Sequence, residues 1–140
     1  MGTNPRTQRK AEALRCLREL ASVPTNELVA LASHFDEVDY GKGSVLMREG
    51  DIGQRAFVIL DGVASVSRRG EVFAIRGWGD VVGEVALIDG EHRSATVTAL
   101  SPLRTLAASR RDFEKFSEQP SAGRAIARAL CGRMRSMQPA

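Results

Sequence analysis

The sequence predicts a mainly antiparallel β domain, rolled or closed on itself, with helices at both ends. Three observations carry that class. From Val38 onward, short extended runs alternate with glycine turns: Tyr40-Gly41-Lys42-Gly43, Glu49-Gly50-Asp51, Asp61-Gly62 and Gly77-Trp78-Gly79-Asp80. Many short strands at near-regular spacing belong to sheets that close or roll, because closure removes the exposed edges. On either side of this region, the apolar residues recur at helical instead of strand spacing.

Taken in order, Ala11 to Ala21 sets Leu14, Leu17 and Ala21 on one face and predicts an amphipathic helix. Pro24-Thr25 opens a second helix, with Thr25 as its N-cap and Leu28, Leu31, Ala32 and Phe35 facing inward. Asp61-Gly62, between Phe57-Val58-Ile59-Leu60 and Val63-Ala64-Ser65-Val66, gives the strongest hairpin signal in the chain, and Arg68-Arg69-Gly70 marks another hairpin tip. After Leu103-Arg104-Thr105-Leu106-Ala107-Ala108, the stretch Ser109-Arg110-Arg111-Asp112 opens a helix carrying Phe113 and Phe116, which Pro120 breaks. Ser121 to Met137 reads as the last helix. Ile126, Leu130, Met134 and Met137 form its apolar stripe, and Arg124, Arg128 and Arg135 share another face. The expected organisation is one domain over residues 8–138. N-terminal helices occupy 8–36, the roll 37–109 and C-terminal helices 110–138, with residues 1–7 disordered.

Composition narrows the function classes. A chain of 140 residues is long enough to bury one proper core. Its 20 basic residues outnumber 17 acidic ones by three, and the two signs are interleaved almost throughout. Dispersed charge of this kind is a solvated surface and not a nucleic-acid face. The longest apolar run, Ala56 to Leu60, is far too short to span a bilayer. Met1 to Lys10 is polar and basic, without the apolar core of a signal peptide, so a cytoplasmic protein is expected. Cys16 and Cys131 lie far apart without metal-ligand spacing, and the two histidines, His34 and His92, sit in unrelated segments. No ligand cluster for a metal, no nucleophile–base pair and no Gly-rich phosphate loop of the ATPase type is evident. The expectation is therefore a non-enzyme with no catalytic residue, no metal and no cofactor.

One segment carries chemistry: Val82-Gly83-Glu84-Val85-Ala86-Leu87, a loop Ile88-Asp89-Gly90-Glu91-His92, then Arg93-Ser94-Ala95-Thr96-Val97-Thr98-Ala99. Gly83 lets the backbone approach a ligand without an intervening side chain. Glu84 to Leu87 read as one helical turn, whose leading amides are anion donors. Arg93 can add a charge-assisted, bidentate contact to a phosphate. Glu84 would repel that phosphate, so its presence asks for a ligand that also offers hydroxyls, as a ribose does. Phosphate and ribose together describe a nucleotide. A plain structural ion pair between Glu84 and Arg93 is the competing reading of the same two residues.

This segment closely resembles the phosphate-binding cassette of the cyclic nucleotide-binding domain family. The family pattern runs Phe-Gly-Glu-x-Ala-Leu, a variable loop, then Arg-Ser/Thr/Ala-Ala-x-Val-x-Ala. Gly83, Glu84, Ala86, Leu87, Arg93, Ser94, Ala95, Val97 and Ala99 match it, and Val82 replaces the usual larger apolar residue. The resemblance continues through Gly50, Gly62 and Gly79 to about residues 10 to 137. It implies a jelly-roll or double-stranded β-helix, with cAMP as ligand and cGMP as the other candidate. The implied site comprises Val82, Gly83, Glu84, Val85, Ala86, Leu87, Arg93, Ser94 and Ala95. By resemblance, Glu84 takes the ribose 2′-hydroxyl, assisted by the Gly83 amide. Arg93 pairs with the cyclic phosphate, helped by the amides of Ala86 and of Ser94 or Ala95.

The last helix is implied to fold over the base as a lid and to signal by its movement. Which of Arg124, Ala127, Arg128 or Cys131 meets the base stays open. An effector protein or a second copy of the chain, meeting the C-terminal helix, is the expected partner. DNA is not expected of this chain alone, because Ala140 follows the lid helix by three residues. Two alternatives remain: a ligand-free β-roll serving protein contacts, and the sensor part of a longer regulator, channel or kinase.

Overall fold

The structure is a computed structural model in which residues 5–53, 55–83 and 92–116 are described. The chain divides into two compact units, one spanning Glu37–Arg110 and the other formed by the segments on either side of it.

The first unit is built of short antiparallel strands: β1 (Asp36–Tyr40), β2 (Val45–Met47), β3 (Arg55–Asp61), β4 (Ala64–Arg68), β5 (Glu71–Arg76), β6 (Val81–Val82), β7 (Thr96–Ala99) and β8 (Leu103–Ser109). They form two four-stranded sheets, ordered β1-β8-β3-β6 and β2-β7-β4-β5. This is the mainly antiparallel roll that the spacing of glycine turns predicts. In β3, an inner strand between β8 and β6, the run Ala56 to Ile59 is buried without alternation, so both of its faces are covered. Phe57, Ile59, Ala64, Val66, Val82, Val97, Ala99 and Leu103 make one core cluster, and each fully buried aliphatic side chain contributes roughly 1.5–3 kcal/mol. Register locks the pieces together: Phe57 faces Ala107 on β8 and Val82 on β6, while Val66 faces Val97 on β7. Thr105 is fully buried in this apolar setting, and its hydroxyl donates to the Val38 carbonyl at 2.8 Å.

The hairpin expected at Asp61-Gly62 is not a hairpin. β3 and β4 belong to different sheets, and Gly62 is the corner where the chain crosses between them. The turn is held by one local and one distant side chain: Gly62 N–H donates to Asp61 Oδ1 at 3.0 Å and Val63 N–H to Ser101 Oγ at 3.0 Å. Gly62 takes φ +95°, and a Cβ there would overlap the Pro102 carbonyl oxygen. The local Asp-Gly signal reports a tight turn but not which strand the next one pairs with. The Arg69-Gly70 tip, in contrast, is a true two-residue hairpin. Both residues have positive φ (53° and 82°), the geometry that matches the twist of paired strands. Along this hairpin, Val66 faces Ala74 and Ser67 faces Val72, so Phe73 is the extra residue of a β-bulge.

In the other unit, α1 (Pro5–Leu14) begins ahead of the boundary expected at residue 8 and stops short of the expected Ala21. Leu17 is extended (φ −78°, ψ 121°), and a single 3-10 turn, Arg18–Leu20, follows. Leu14, Leu17 and Leu20 are all buried, whereas Ala21 is exposed. Their spacing of three suits a 3-10 turn as well as it suits a helix, which explains the over-long expectation. α2 (Thr25–Ala32) buries Leu28, Leu31 and Ala32, and Phe35 beyond its end is buried too. Its N-cap is Pro24, and the Thr25 hydroxyl instead accepts a 2.9 Å bond from Arg15. Arg15 also donates to the carbonyls of Ala21 and Val23, and Lys10 donates to that of Phe35, tying α1 to the chain around α2. α3 (Arg110–Phe116) follows β8 without an intervening residue. His34 Nδ1 lies 3.7 Å from Asp112 Oδ1 in its first turn. The expected last helix, 121–137, lies outside the described residues. No described helix is long and apolar enough to cross a membrane.

Candidate functional site

The site is assembled where β6 ends and where the chain returns to enter β7. Val82, the last residue of β6, is fully buried and paired with Phe57. Gly83 follows with φ +82°, a conformation that L side chains rarely adopt. A Cβ at Gly83 would lie 2.7 Å from Arg93 Nη1 and 2.9 Å from the Arg55 carbonyl oxygen. Only glycine lets this backbone come so close to the arginine.

Arg93 enters from the other side, and its main chain is clamped first. Its N–H donates to the Asp51 carbonyl at 2.6 Å, its own carbonyl accepts from Gly50 N–H at 2.9 Å, and His92 bridges Ile52. The side chain then turns inward and is 9% exposed. Nη1 donates to the Gly83 carbonyl at 3.0 Å and Nη2 to the Arg55 carbonyl at 2.6 Å. Withdrawing a cation from water costs several kcal/mol unless dipoles or counter-charges replace the lost solvent. The two carbonyls orient the guanidinium, which is thereby fixed in direction and largely withdrawn from water.

The next residues are held in turn. Arg68 Nε donates to the Ser94 carbonyl at 3.0 Å. Thr96 Oγ1 accepts from Glu49 N–H at 3.0 Å, and Glu49 Oε1 accepts from Arg69 N–H at 2.9 Å. Ala95 is 5% exposed, and its amide has no acceptor among the described residues. A buried donor left unpaired costs about 1–3 kcal/mol, so such a group marks a place where an acceptor from outside the protein is welcome.

Of the residues that the sequence singles out, the structure brings Gly83 and Arg93 into hydrogen-bond contact and sets Val82, Ser94 and Ala95 around them. Glu84, Val85, Ala86 and Leu87 lie outside the described residues, and the question of a Glu84–Arg93 ion pair lies there with them. Arg55, Asp51 and Arg68 are additions that sequence reasoning missed. The first two act through main-chain carbonyls, which any residue type supplies, so no sequence signal points to them. Among the described residues no group of three or more His, Cys, Asp or Glu side chains could hold a metal ion.

Comparison with known proteins agrees with this geometry. Residues 37–119 match the family model described as the cyclic nucleotide-binding domain. The CRP-like cAMP-activated global transcriptional regulator of Mycobacterium tuberculosis is 24% identical over 81% of this chain and 53% of its own length. A cAMP-dependent protein kinase regulatory subunit of Eremothecium gossypii is 33% identical over 74% of this chain and 23% of its own. The chain therefore spans about half or less of the length of these relatives. Among solved structures, the N-terminal domain of a transcriptional regulator from Streptomyces coelicolor A3(2) superposes with a TM-score of 0.74. It is 29% identical and aligned over 90% of this chain and 94% of that one. Sequence match, roll topology and the Gly83–Arg93 contact converge, and the chain belongs to the cyclic nucleotide-binding domain family.

Proposed function

We propose that this chain is a regulatory module that binds cAMP, with Arg93 as the counter-charge of the cyclic phosphate. The observation that carries the proposal is the Arg93 guanidinium, buried and oriented by the carbonyls of Gly83 and Arg55. An anion entering this place meets a guanidinium whose direction is already set. The Ala95 amide, which has no acceptor among the described residues, supplies a second donor two residues along the chain. By the family resemblance, the Ser94 and Ala86 amides would complete the anion cradle, Glu84 would take the ribose 2′-hydroxyl with help from the Gly83 amide, and Val82, Val85 and Leu87 would complete the site. cAMP is favoured over cGMP by the relatives, one a cAMP-activated regulator and the other a cAMP-dependent kinase subunit.

Binding, and not turnover, is the work of this site: every polar group assigned is a hydrogen-bond donor, a hydrogen-bond acceptor or a counter-charge. A ligand shifts an equilibrium only by its differential affinity for two states. α3 begins at Arg110, directly after β8, so the C-terminal helices are the nearest covalent outlet for a change in the roll. An effector protein or a second copy of the chain reads that change.

Titration calorimetry of the 140-residue chain with cAMP and with cGMP tests the proposal. Heat with cAMP, weaker heat with cGMP and none with Arg93→Glu is the expected result. Equal affinity of wild type and Arg93→Glu for cAMP would remove the assignment, and tighter binding of cGMP would reverse the choice of base.

A further inference from the structure

We propose that Arg68 is a positioning residue that aims the Ala95 amide at the bound phosphate, an inference that rests on the reading of the site given above. Arg68 ends β4, outside the matched cassette, and its Nε donates to the Ser94 carbonyl at 3.0 Å. In a trans peptide the carbonyl and the following N–H point in opposite directions. Drawing the Ser94 carbonyl toward Arg68 therefore turns the Ala95 N–H away from Arg68. That N–H belongs to a buried residue and has no acceptor among the described residues. The peptide before it is already fixed, because Arg93 exchanges main-chain bonds with Gly50 and Asp51. The plane of the Ser94–Ala95 peptide is what remains to be set, and the Arg68 bond sets it.

Arg68 is itself held in place. Its guanidinium carbon lies 5.1 Å from the centroid of the Phe73 ring, within cation–π range. Phe73 is 47% exposed, so burial does not account for an aromatic residue there. It is also the bulge residue of β5, and bulges next to functional sites re-aim side chains. Bulge, ring, guanidinium and carbonyl form one chain of contacts that ends at the Ser94–Ala95 peptide. A donor oriented before the ligand arrives needs no reorganisation on binding.

The test uses cAMP and its two phosphorothioate diastereomers, each with sulfur in place of one non-bridging phosphate oxygen. Sulfur is the poorer acceptor, so the affinity ratio of the diastereomers reads which oxygen the amide holds. Arg68→Ala is expected to weaken cAMP binding about tenfold, the lower end for one charge-assisted hydrogen bond, and to change the diastereomer ratio severalfold. Arg68→Lys, which keeps the charge but lacks the Nε donor, should behave like Arg68→Ala. Phe73→Leu should move the ratio in the same direction by less. If Arg68→Ala weakens all three ligands by one common factor, or if Arg68→Lys matches wild type, Arg68 acts only through its charge and the assignment is overturned. If wild type discriminates and none of the three variants alters the ratio, the assignment falls while the cAMP reading stands. Wild type that binds none of the ligands removes both.

Discussion

Gly62 and Gly83 adopt nearly the same backbone, with φ of +95° and +82°, but what stands where a side chain would go differs. At Gly62 the nearest obstacle is main chain, the Pro102 carbonyl, with the Ser101 hydroxyl and the Leu103 Cα behind it, all at the corner between the two sheets. At Gly83 the obstacles are the Arg93 guanidinium and the Arg55 carbonyl that orients it. The first turn needs glycine so that the sheets can meet. The second needs it so that a cation can approach the backbone. Equal local geometry therefore serves the joining of sheets in one place and the placing of a buried cation in the other. The distinction can be measured, because one substitution should move the melting temperature and the other the affinity.

The largest expected effect belongs to the cation itself. Arg93→Glu places an acid against two carbonyls and removes the phosphate's counter-charge, so cAMP affinity should fall about a thousandfold, or ~4 kcal/mol. Arg93→Gln keeps amide donors without the charge and should lose nearly as much while disturbing the fold less. Next comes Gly62→Ala. A positive φ and an overlap with main chain together should cost on the order of 3 kcal/mol, lowering the melting temperature by roughly 10 °C. The chain that remains folded should bind cAMP as wild type does. Lost affinity with unchanged melting would collapse the contrast between the two turns.

Gly83→Ala should do the reverse. Its methyl group would press on Arg93 Nη1, which must swing away, and cAMP affinity should drop about tenfold with a smaller loss of stability. Smallest is Thr105→Val, which deletes the buried bond to the Val38 carbonyl and should cost about 1 kcal/mol in chemical denaturation without changing affinity. A change in affinity there would mean that the β1–β8 side of the roll communicates with the site.

The two turns also show what a sequence discloses. Gly62 announces a turn, yet its Asp61-Gly62 dipeptide suits a hairpin as well as a corner between sheets. The deciding partners, Ser101 and Pro102, lie some forty residues away. Arg69-Gly70 was legible as a hairpin because everything it needs is local. The helix read over Ala11 to Ala21 runs past its real end at Leu14, since leucines spaced by three serve a 3-10 turn equally well. At the site, Gly83 and Arg93 were legible because the chemistry needs those residue types. The Arg55 and Asp51 carbonyls were not, because a carbonyl carries no residue identity. Arg68 was legible only as part of a hairpin tip. Its bond to Ser94 joins residues 26 apart in sequence.

The central claim is that Arg93 and the Ala95 amide form the anion-binding end of the pocket. Backbone amide NMR during titration of the 140-residue chain with cAMP, and separately with adenosine, tests it most directly. The Ala95 amide proton should move strongly downfield with cAMP and stay nearly in place with adenosine, which has the base and ribose but no phosphate. An Ala95 resonance that does not move with cAMP, or that moves equally with adenosine, would contradict the account.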